Sequence, residues 1–165
     1  MAHTLHLDGG GSVRLAIAAD LPTLCVFFAD YRRTIALFDA DINVDEPLQV
    51  DWFERPGELF PYIIESHDCP VGFAFVMGER YAAAIGQEVQ WVLYDLFLQP
   101  ENRGTRLAER ALTAICDQLK GTWSIDVFDA NSVAIGFYQR ALARHSHRRV
   151  PLSVAAAITR FSFTT

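Results

Sequence analysis

Three arginines follow a glycine-containing turn in the middle of the chain, and their spacing suits them to bind an anion. Arg103, Arg106 and Arg110 lie at i, i+3 and i+7, which predicts one stripe on the opening turns of a helix. Positive charge there opposes the helix macrodipole by roughly 0.3–1 kcal/mol for each exposed side chain. An anionic ligand would reverse that penalty, and backbone N–H groups at a helix start bind phosphate. The turn is therefore a candidate phosphate site.

The same turn also has a purely structural interpretation. Asn102 and Thr105 are residue types that cap the N-terminus of a helix. Glu101 and Glu109 would then neutralise the neighbouring arginines. The residue types alone leave the two interpretations open.

A second pattern lies downstream, where Asn131 is followed seven residues later by Tyr138. Taken by itself, Asn131 is typical of a helix N-cap. Tyr138 stands beside Phe137 and is typical of a buried tyrosine whose hydroxyl is hydrogen-bonded.

Together the two segments resemble the GNAT N-acetyltransferase superfamily. Residues 94–108 are similar to its acetyl-CoA signature, a strand followed by Arg/Gln-x-x-Gly-x-Gly/Ala, with Arg103 and Ala108 in the outer positions. Asn131 and Tyr138 match the Asn and Tyr of its second signature. The wording of the first segment is nearest to diamine and aminoglycoside acetyltransferases. Two motifs in the right order are far more specific than one glycine turn.

This resemblance implies both a fold and a reaction. The implied fold is α/β (α+β), a single-domain GNAT-type fold with a mixed, twisted sheet of six to seven strands flanked by about four helices. The implied reaction moves an acetyl group from acetyl-CoA, the cosubstrate, to a primary amine of a small, cationic acceptor. The amine attacks directly, so the resemblance implies neither an acyl-enzyme nor a metal.

The resemblance also implies roles for individual residues. Tyr138 would protonate the departing thiolate, and Asn131 would bond the pantetheine or the substrate. A backbone N–H of the strand would polarise the thioester carbonyl as an oxyanion hole does. The strand residues that would pair with the pantetheine arm are Leu96, Phe97 and Leu98, and the amides that would hold the pyrophosphate belong to Arg103, Gly104, Thr105, Arg106, Leu107 and Ala108.

Two positions depart from the family pattern. Arg106 stands where the middle glycine of the phosphate turn is usual, so its side chain either binds a phosphate or marks a degraded cofactor site. Tyr94 stands where the similar diamine enzymes carry a glutamate before Asp95. Proton removal then falls to Glu88, to Asp95 through a water, or to solvent, and the sequence does not choose among them.

The negative charge of the chain is concentrated in one segment. The net charge is −6, and residues 39–58 hold seven acids against one base, whereas the other 145 residues hold 13 of each. Such a segment is usually a solvated face. In the implied fold it borders the acceptor pocket, where Asp39, Asp41 and Asp45 would attract a cationic amine.

The elements that must position these residues can be predicted from periodicity. Residues 13–17 alternate as a strand, residues 21–37 repeat as an amphipathic helix, and a short second helix is expected before Arg55. A hairpin is expected over residues 59–65 and 71–77, a long strand over 88–99, a helix over 107–119 and a strand over 123–127. Residues 131–142 read as a helix, 144–149 as an exposed basic loop, and 150–163 as strand interrupted near Pro151.

Length and composition indicate one soluble domain. The chain has 165 residues, of which 51% are hydrophobic, and that is enough for a core without disulfides. Its three cysteines lie far apart, so no metal or disulfide framework is expected. We expect residues 1–12 to be a flexible N-terminal segment and 13–165 the acyltransferase domain. We also expect a cytoplasmic location, no nucleic-acid or membrane partner, and a homodimer as one possible assembly.

Two rival functions follow from the same residues. Arg106 and the missing carboxylate before Asp95 favour a non-catalytic GNAT-fold module that binds CoA or a peptide. A plain phosphate-binding α/β protein is the third option, but the pair Asn131 and Tyr138 makes it improbable.

Overall fold

An eight-stranded mixed sheet organises the chain. A computed structural model describes residues 4–153 and 157–165. Its strands, in the spatial order β1-β2-β3-β4-β5-β6-β8-β7, are β1 Thr4–His6, β2 Ser12–Leu15, β3 Leu59–Ser66, β4 Cys69–Gly78, β5 Trp91–Leu98, β6 Thr122–Phe128, β7 His147–Ser153 and β8 Ile158–Thr164. The α-helices in the described residues are α1 Leu21–Ile35, α2 Asp51–Glu54, α3 Glu79–Ala84, α4 Leu107–Gln118 and α5 Ser132–Ala141.

Alternating side chains give the sheet one apolar core on each face. On β6, Trp123 and Ile125 point to the face that α4 and α5 cover, whereas on β4 Phe73 and Phe75 point to the face that α1 and α2 cover. Because side chains alternate along a strand, the central strands β3, β4 and β5 supply both cores. The sheet is thus sandwiched between the two helix layers, which confirms the expected α/β class.

Several elements differ from the sequence-based predictions. Residues 4–6 of the segment expected to be flexible form β1, which pairs with β2 through Leu5 and Val13. The sheet has eight strands rather than six or seven. Helix α3 was not predicted, and β7 begins at His147, inside the expected basic loop. Residues 1–3 and 154–156 of the predicted elements lie outside the described residues.

The parallel contact between β5 and β6 is short. It spans only three residue pairs, from Trp91 with Trp123 to Leu93 with Ile125. On its other side β5 pairs with β4 along its whole length, with a bulge at Tyr94, because Phe75 faces Asp95 whereas Val76 faces Leu93. A bulge bends the strand and increases its twist. Beyond Leu93, β5 makes no further pairs with β6, and the space between the unpaired carboxyl ends of the two strands is here called the cleft.

Gly72 allows β4 to follow β5 to the edge of this cleft. It pairs with Leu98, and a Cβ on Gly72 would collide with the carbonyl oxygen of Phe97 and lie 2.6 Å from the Leu98 side chain. Only glycine permits this approach, since backbone cannot yield as a flexible side chain does.

We expect Gly72→Ala to lower the free energy of unfolding by more than about 2 kcal/mol, because the added methyl group forces the two strands apart. Gly136→Ala in α5 is the matched control. Its new methyl group meets only the end of the Arg140 side chain at 3.3 Å, and alanine favours a helix interior by about 0.5–1 kcal/mol. Chemical denaturation of both variants measures the difference. Equal stabilities would contradict the tight approach at Gly72.

Candidate functional site

The turn before α4 follows the carboxyl end of β5 and leads into a helix start without a side-chain cap from the described residues. After β5 the chain makes one turn of 3-10 helix at Pro100–Asn102, and Gly104 and Arg106 then adopt left-handed φ angles of 77° and 62°. Helix α4 begins directly afterwards, and no side chain of the described residues caps its start. The first N–H groups of a helix have no partner within it. They are therefore available to an anion, as the phosphate interpretation requires.

Arg106 holds the turn in a shape that glycine adopts more easily. Its backbone is left-handed, a conformation that costs a residue with a Cβ roughly 1–2 kcal/mol. Its side chain is 79% exposed and lies 3.7 Å from the Glu109 carboxylate. The guanidinium thus points outward, and the backbone of the turn takes a left-handed conformation although residue 106 is not glycine.

The three arginines do not form the predicted stripe. Arg103 and Arg106 precede α4, and only Arg110 belongs to it. Arg103 donates through Nε to the Leu98 carbonyl at 2.9 Å and lies over the Phe97 ring at 5.5 Å. Arg110 donates to the Gly10 carbonyl at 3.3 Å. The prediction of one helical stripe was wrong because the helix starts later, after two left-handed residues.

Asp95 is a buried carboxylate at the point where β5 leaves β6. Its exposed fraction is 8%, and the Tyr31 hydroxyl of α1 donates a hydrogen bond to its Oδ1. Burial raises the pKa of Asp95 from its ordinary 3.8 to about 7, against the lowering effect of Tyr31 and of the Arg32 charge. A group with a pKa near the working pH is suited to accept and release a proton.

Tyr138 has the opposite protonation preference. It lies on α5 with an exposed fraction of 8% and packs against Phe137 and Phe161. Burial, with a further contribution from the Asp95 charge, raises its pKa well above 10. Its hydroxyl therefore keeps its proton at neutral pH and is suited to donate it. The two groups therefore have opposite protonation preferences, and the charge of Asp95 acts on Tyr138.

Asn131 has the structural role that its residue type suggests. Its Oδ1 accepts the N–H of Ala134 at 3.0 Å and caps α5. This bond fixes the start of the helix that carries Tyr138. The side-chain NH₂ of Asn131 is not used in the cap.

One known protein family matches most of the chain. A model described as the acetyltransferase (GNAT) family matches residues 27–143. The chain belongs to this family. No curated protein matches it.

Solved structures of similar fold span the whole of this GNAT chain. An acetyltransferase from Thermus thermophilus has a TM-score of 0.70 at 19% identity and covers 99% of both chains. The RimL ribosomal L7/L12 alpha-N-protein acetyltransferase has a TM-score of 0.68 at 12% identity, over 100% of this chain and 96% of its own. A PaiA N-acetyltransferase from Thermoplasma acidophilum, solved with coenzyme A, has a TM-score of 0.64 at 12% identity, over 93% and 98%.

Of the catalytic candidates, Glu88 lies apart from Asp95, whereas Tyr94 is its neighbour on β5. Glu88 is exposed in the loop before β5, beside Thr122, at the end of the strand opposite to the phosphate turn. This GNAT chain therefore does not bring Glu88 to the site. Tyr94 is 51% exposed at the bulge and packs against Trp52, with ring centroids 6.2 Å apart. It lies at the entrance, next to Asp95.

Two residues of α1 contribute to the site although no motif contains them. Tyr31 bonds Asp95, and Arg32 pairs with Glu46 and donates twice to the Asn43 carbonyl. The helical periodicity of α1 gave Tyr31 only a core position. The missing signal was the long-range contact with β5, which a single sequence does not contain.

The acidic segment is mostly loop in this GNAT structure. The short second helix is limited to α2, and residues 36–50 contain no regular helix or strand. Asp41 and Asp45 are exposed and Asp39 is half-buried. None of the three forms an ion pair within residues 4–153 and 157–165, whereas Glu46, Asp51 and Glu58 do.

Neither a metal cluster nor a spanning helix is found in the described parts of the chain. No group of three or more His, Cys, Asp or Glu residues there has an arrangement that would hold a metal ion. No helix there is long and apolar enough to cross a membrane.

We expect Asp95→Asn to be more stable than the parent at pH 8, by up to a few kcal/mol, and equally stable near pH 4. The folded carboxylate has a raised pKa, so its contribution to stability is complete below pH 4 and is lost as the pH rises through about 7. Asparagine keeps an oxygen for Tyr31 and has no charge to desolvate. Melting temperatures of both proteins over this pH range give the comparison. A difference that does not vary with pH would contradict the raised pKa.

Proposed function

We propose that this protein is an acetyl-CoA-dependent N-acetyltransferase acting on a primary amine of a small, cationic acceptor. The observation that carries the proposal is that Asp95 is buried where β5 leaves β6 and bonded by Tyr31, with a pKa of about 7, and that its charge reaches the buried phenol of Tyr138 on α5. Membership of the GNAT family and the CoA complex of the PaiA neighbour support it.

The cosubstrate would enter the cleft between β5 and β6. Beyond Leu93 the edge of β5 facing β6 makes no strand pairs with it, so Leu96 to Leu98 offer backbone groups to the amides of pantetheine, as an added strand would use them. The amides from Arg103 to Ala108 would receive the pyrophosphate, helped by the uncapped start of α4.

The chemistry then needs one base, one acid and one oxyanion donor. Asp95 takes a proton from the ammonium group of the acceptor. The amine nitrogen forms a bond to the thioester carbonyl carbon while a backbone N–H of β5 stabilises the oxyanion, and the C–S bond breaks. Tyr138 gives its proton to the thiolate and regains one from the acylated nitrogen. The sum is an amide, CoA thiol and one released proton, with no acyl-enzyme.

The charge of the acidic segment supports a cationic acceptor. Arg32 ties Glu46 and the Asn43 carbonyl to α1, and the charges of Arg32 and Glu46 both reach Asp95 and Tyr94. The exposed carboxylates of Asp41 and Asp45 extend from the same loop. Negative charge at an entrance raises the local concentration of a cation.

A non-catalytic CoA-binding module is the second candidate. Its specific support is Arg106, which takes a left-handed position that the family pattern gives to glycine, together with Tyr94 in place of the usual glutamate. Such a protein would bind CoA and leave amines unchanged.

Calorimetry with acetyl-CoA, followed by thiol release over a panel of amines, decides between the two functions. We expect binding and thiol release with a polyamine or an aminoglycoside in the panel. A peptide with a free α-amine belongs there too, because the RimL neighbour is a protein acetyltransferase. Binding without thiol release from any amine would favour the module, and release only with the peptide would overturn the small acceptor.

The acid role of Tyr138 is tested within the same assay. We expect Tyr138→Phe to lower kcat by about 100-fold, the lower range for general acid catalysis, with little change in acetyl-CoA affinity. Tyr62→Phe is the matched control, since this tyrosine is also buried in the α4 and α5 core and its hydroxyl contacts only Gln118 at 3.4 Å. Unchanged kcat in Tyr138→Phe would remove Tyr138 from the reaction.

Neutralising the exposed acids tests the acceptor proposal. We expect Asp41→Asn with Asp45→Asn to raise the KM of a cationic amine about fivefold at low salt, as two screened charges would, and to leave the KM of acetyl-CoA unchanged. The effect should shrink as salt is added.

Glu79→Gln with Glu88→Gln is the matched control for this charge change. Both residues are exposed and lie at the far end of β5. An equal rise in the amine KM for the two double variants would show that the acidic segment is only a solvated face and does not attract the acceptor.

A further inference from the structure

We propose that Tyr31 is a positioning residue, whose hydroxyl orients Asp95 and keeps it in the ionised form that accepts a proton from the amine. This inference rests on the proposed function, in which Asp95 is the base. It concerns a residue that neither family signature contains.

The first support is that the Tyr31 ring is fixed by its neighbours. It meets Phe73 edge-on at 5.7 Å, Phe97 at 6.2 Å and Phe28 at 6.1 Å between ring centroids. These rings come from β4, β5 and α1, so the tyrosine is held from three elements. Its hydroxyl is thereby directed to Oδ1 of Asp95, which leaves Oδ2 as the oxygen for the incoming proton.

The second support is that packing alone does not require the hydroxyl. Phe27 and Phe28 already fill the same face of α1, and phenylalanine at position 31 would pack equally well. A hydroxyl in a dry core costs free energy unless it is bonded. Here its bond goes to a buried carboxylate, and hydrogen bonds to charged groups are the stronger class.

The third support comes from the charges that face Asp95. Burial and the Glu46 carboxylate raise the pKa of Asp95, whereas Tyr31 and the Arg32 guanidinium lower it, with Tyr31 the larger of the two lowering effects. Tyr94 and Tyr138 are the other titratable groups close to it, and both are neutral at pH 7. Without the Tyr31 hydroxyl, Asp95 would be mostly protonated at neutral pH, and only a small fraction of the protein would hold the ionised base.

The test compares pH profiles of kcat/KM for the parent and Tyr31→Phe. We expect the acid limb of the profile to lie near pH 7 in the parent and about one pH unit higher in the variant. One hydrogen bond to a charged group changes a pKa by about that amount. Activity at pH 7 should fall by up to about tenfold, and it should recover at high pH. Tyr62→Phe, the control used above, should leave the limb in place.

Carbon NMR of protein labelled at the aspartate carboxyl groups gives a reading that needs no activity. The Asp95 resonance, assigned by its loss in Asp95→Asn, should titrate higher in Tyr31→Phe than in the parent. Both shifts together support the proposal. If the Asp95 titration shifts in the NMR measurement but the acid limb of kcat/KM does not, the proposal is overturned and Asp95 is also excluded as the base. If neither measurement shifts, the proposed role of Tyr31 is overturned, and the assignment of Asp95 as the base stands.

If Tyr31→Phe does not fold, Phe97→Leu serves as the second variant. It loosens the packing on one side of the Tyr31 ring and keeps the hydroxyl, so the acid limb should rise by less than about one pH unit relative to the parent. An unmoved limb in a folded Phe97→Leu protein would overturn the orienting role of the aromatic surroundings.

Discussion

The brief parallel contact of β5 with β6 is the constraint on which the rest of the site depends. Three residue pairs hold the two strands together, and the bulge at Tyr94 then turns β5 away. The same bulge places Tyr94 and Asp95, adjacent in sequence, on the side of the sheet that α1 covers. If pairing continued to the strand ends, the edge of β5 would be occupied and Asp95 would point elsewhere.

Burying the Asp95 carboxylate costs free energy of desolvation, and groups from several elements surround it. Helix α1 supplies a hydroxyl and a guanidinium, β4 and β5 supply aromatic walls, and α5 supplies a phenol. Tyr31 and Arg32 lower the free-energy penalty without removing it, whereas burial among the aromatic side chains creates it. Functional groups are commonly kept in such destabilising surroundings.

The sequence predicted the parts of this molecule that have a local signal. Amphipathic periodicity located α1, α4 and α5, and the two signatures located the phosphate turn and Tyr138. Asp95 was one of three options for the base, because a bulge and the burial that follows from it depend on pairing with β4. Arg110 was placed in a stripe for a similar reason, since two left-handed residues delay the start of α4. Strand β1 has only three residues, too few for a period-2 pattern, and the bond of Tyr31 to Asp95 is a long-range contact.

The attachment of the hairpin formed by β1 and β2 to α4 has a consequence for the extent of the proposed cofactor site. Arg110 bonds the Gly10 carbonyl, and Gly11 lies so close to Leu107 that a Cβ there would be 2.9 Å from its side chain. The first helical residue after the phosphate turn therefore rests on a loop that precedes residue 27, where the family match begins. A chain trimmed to the matched residues would retain both signatures and lose the wall behind the turn. In this molecule the recognisable motif is smaller than the physical unit that holds it in shape.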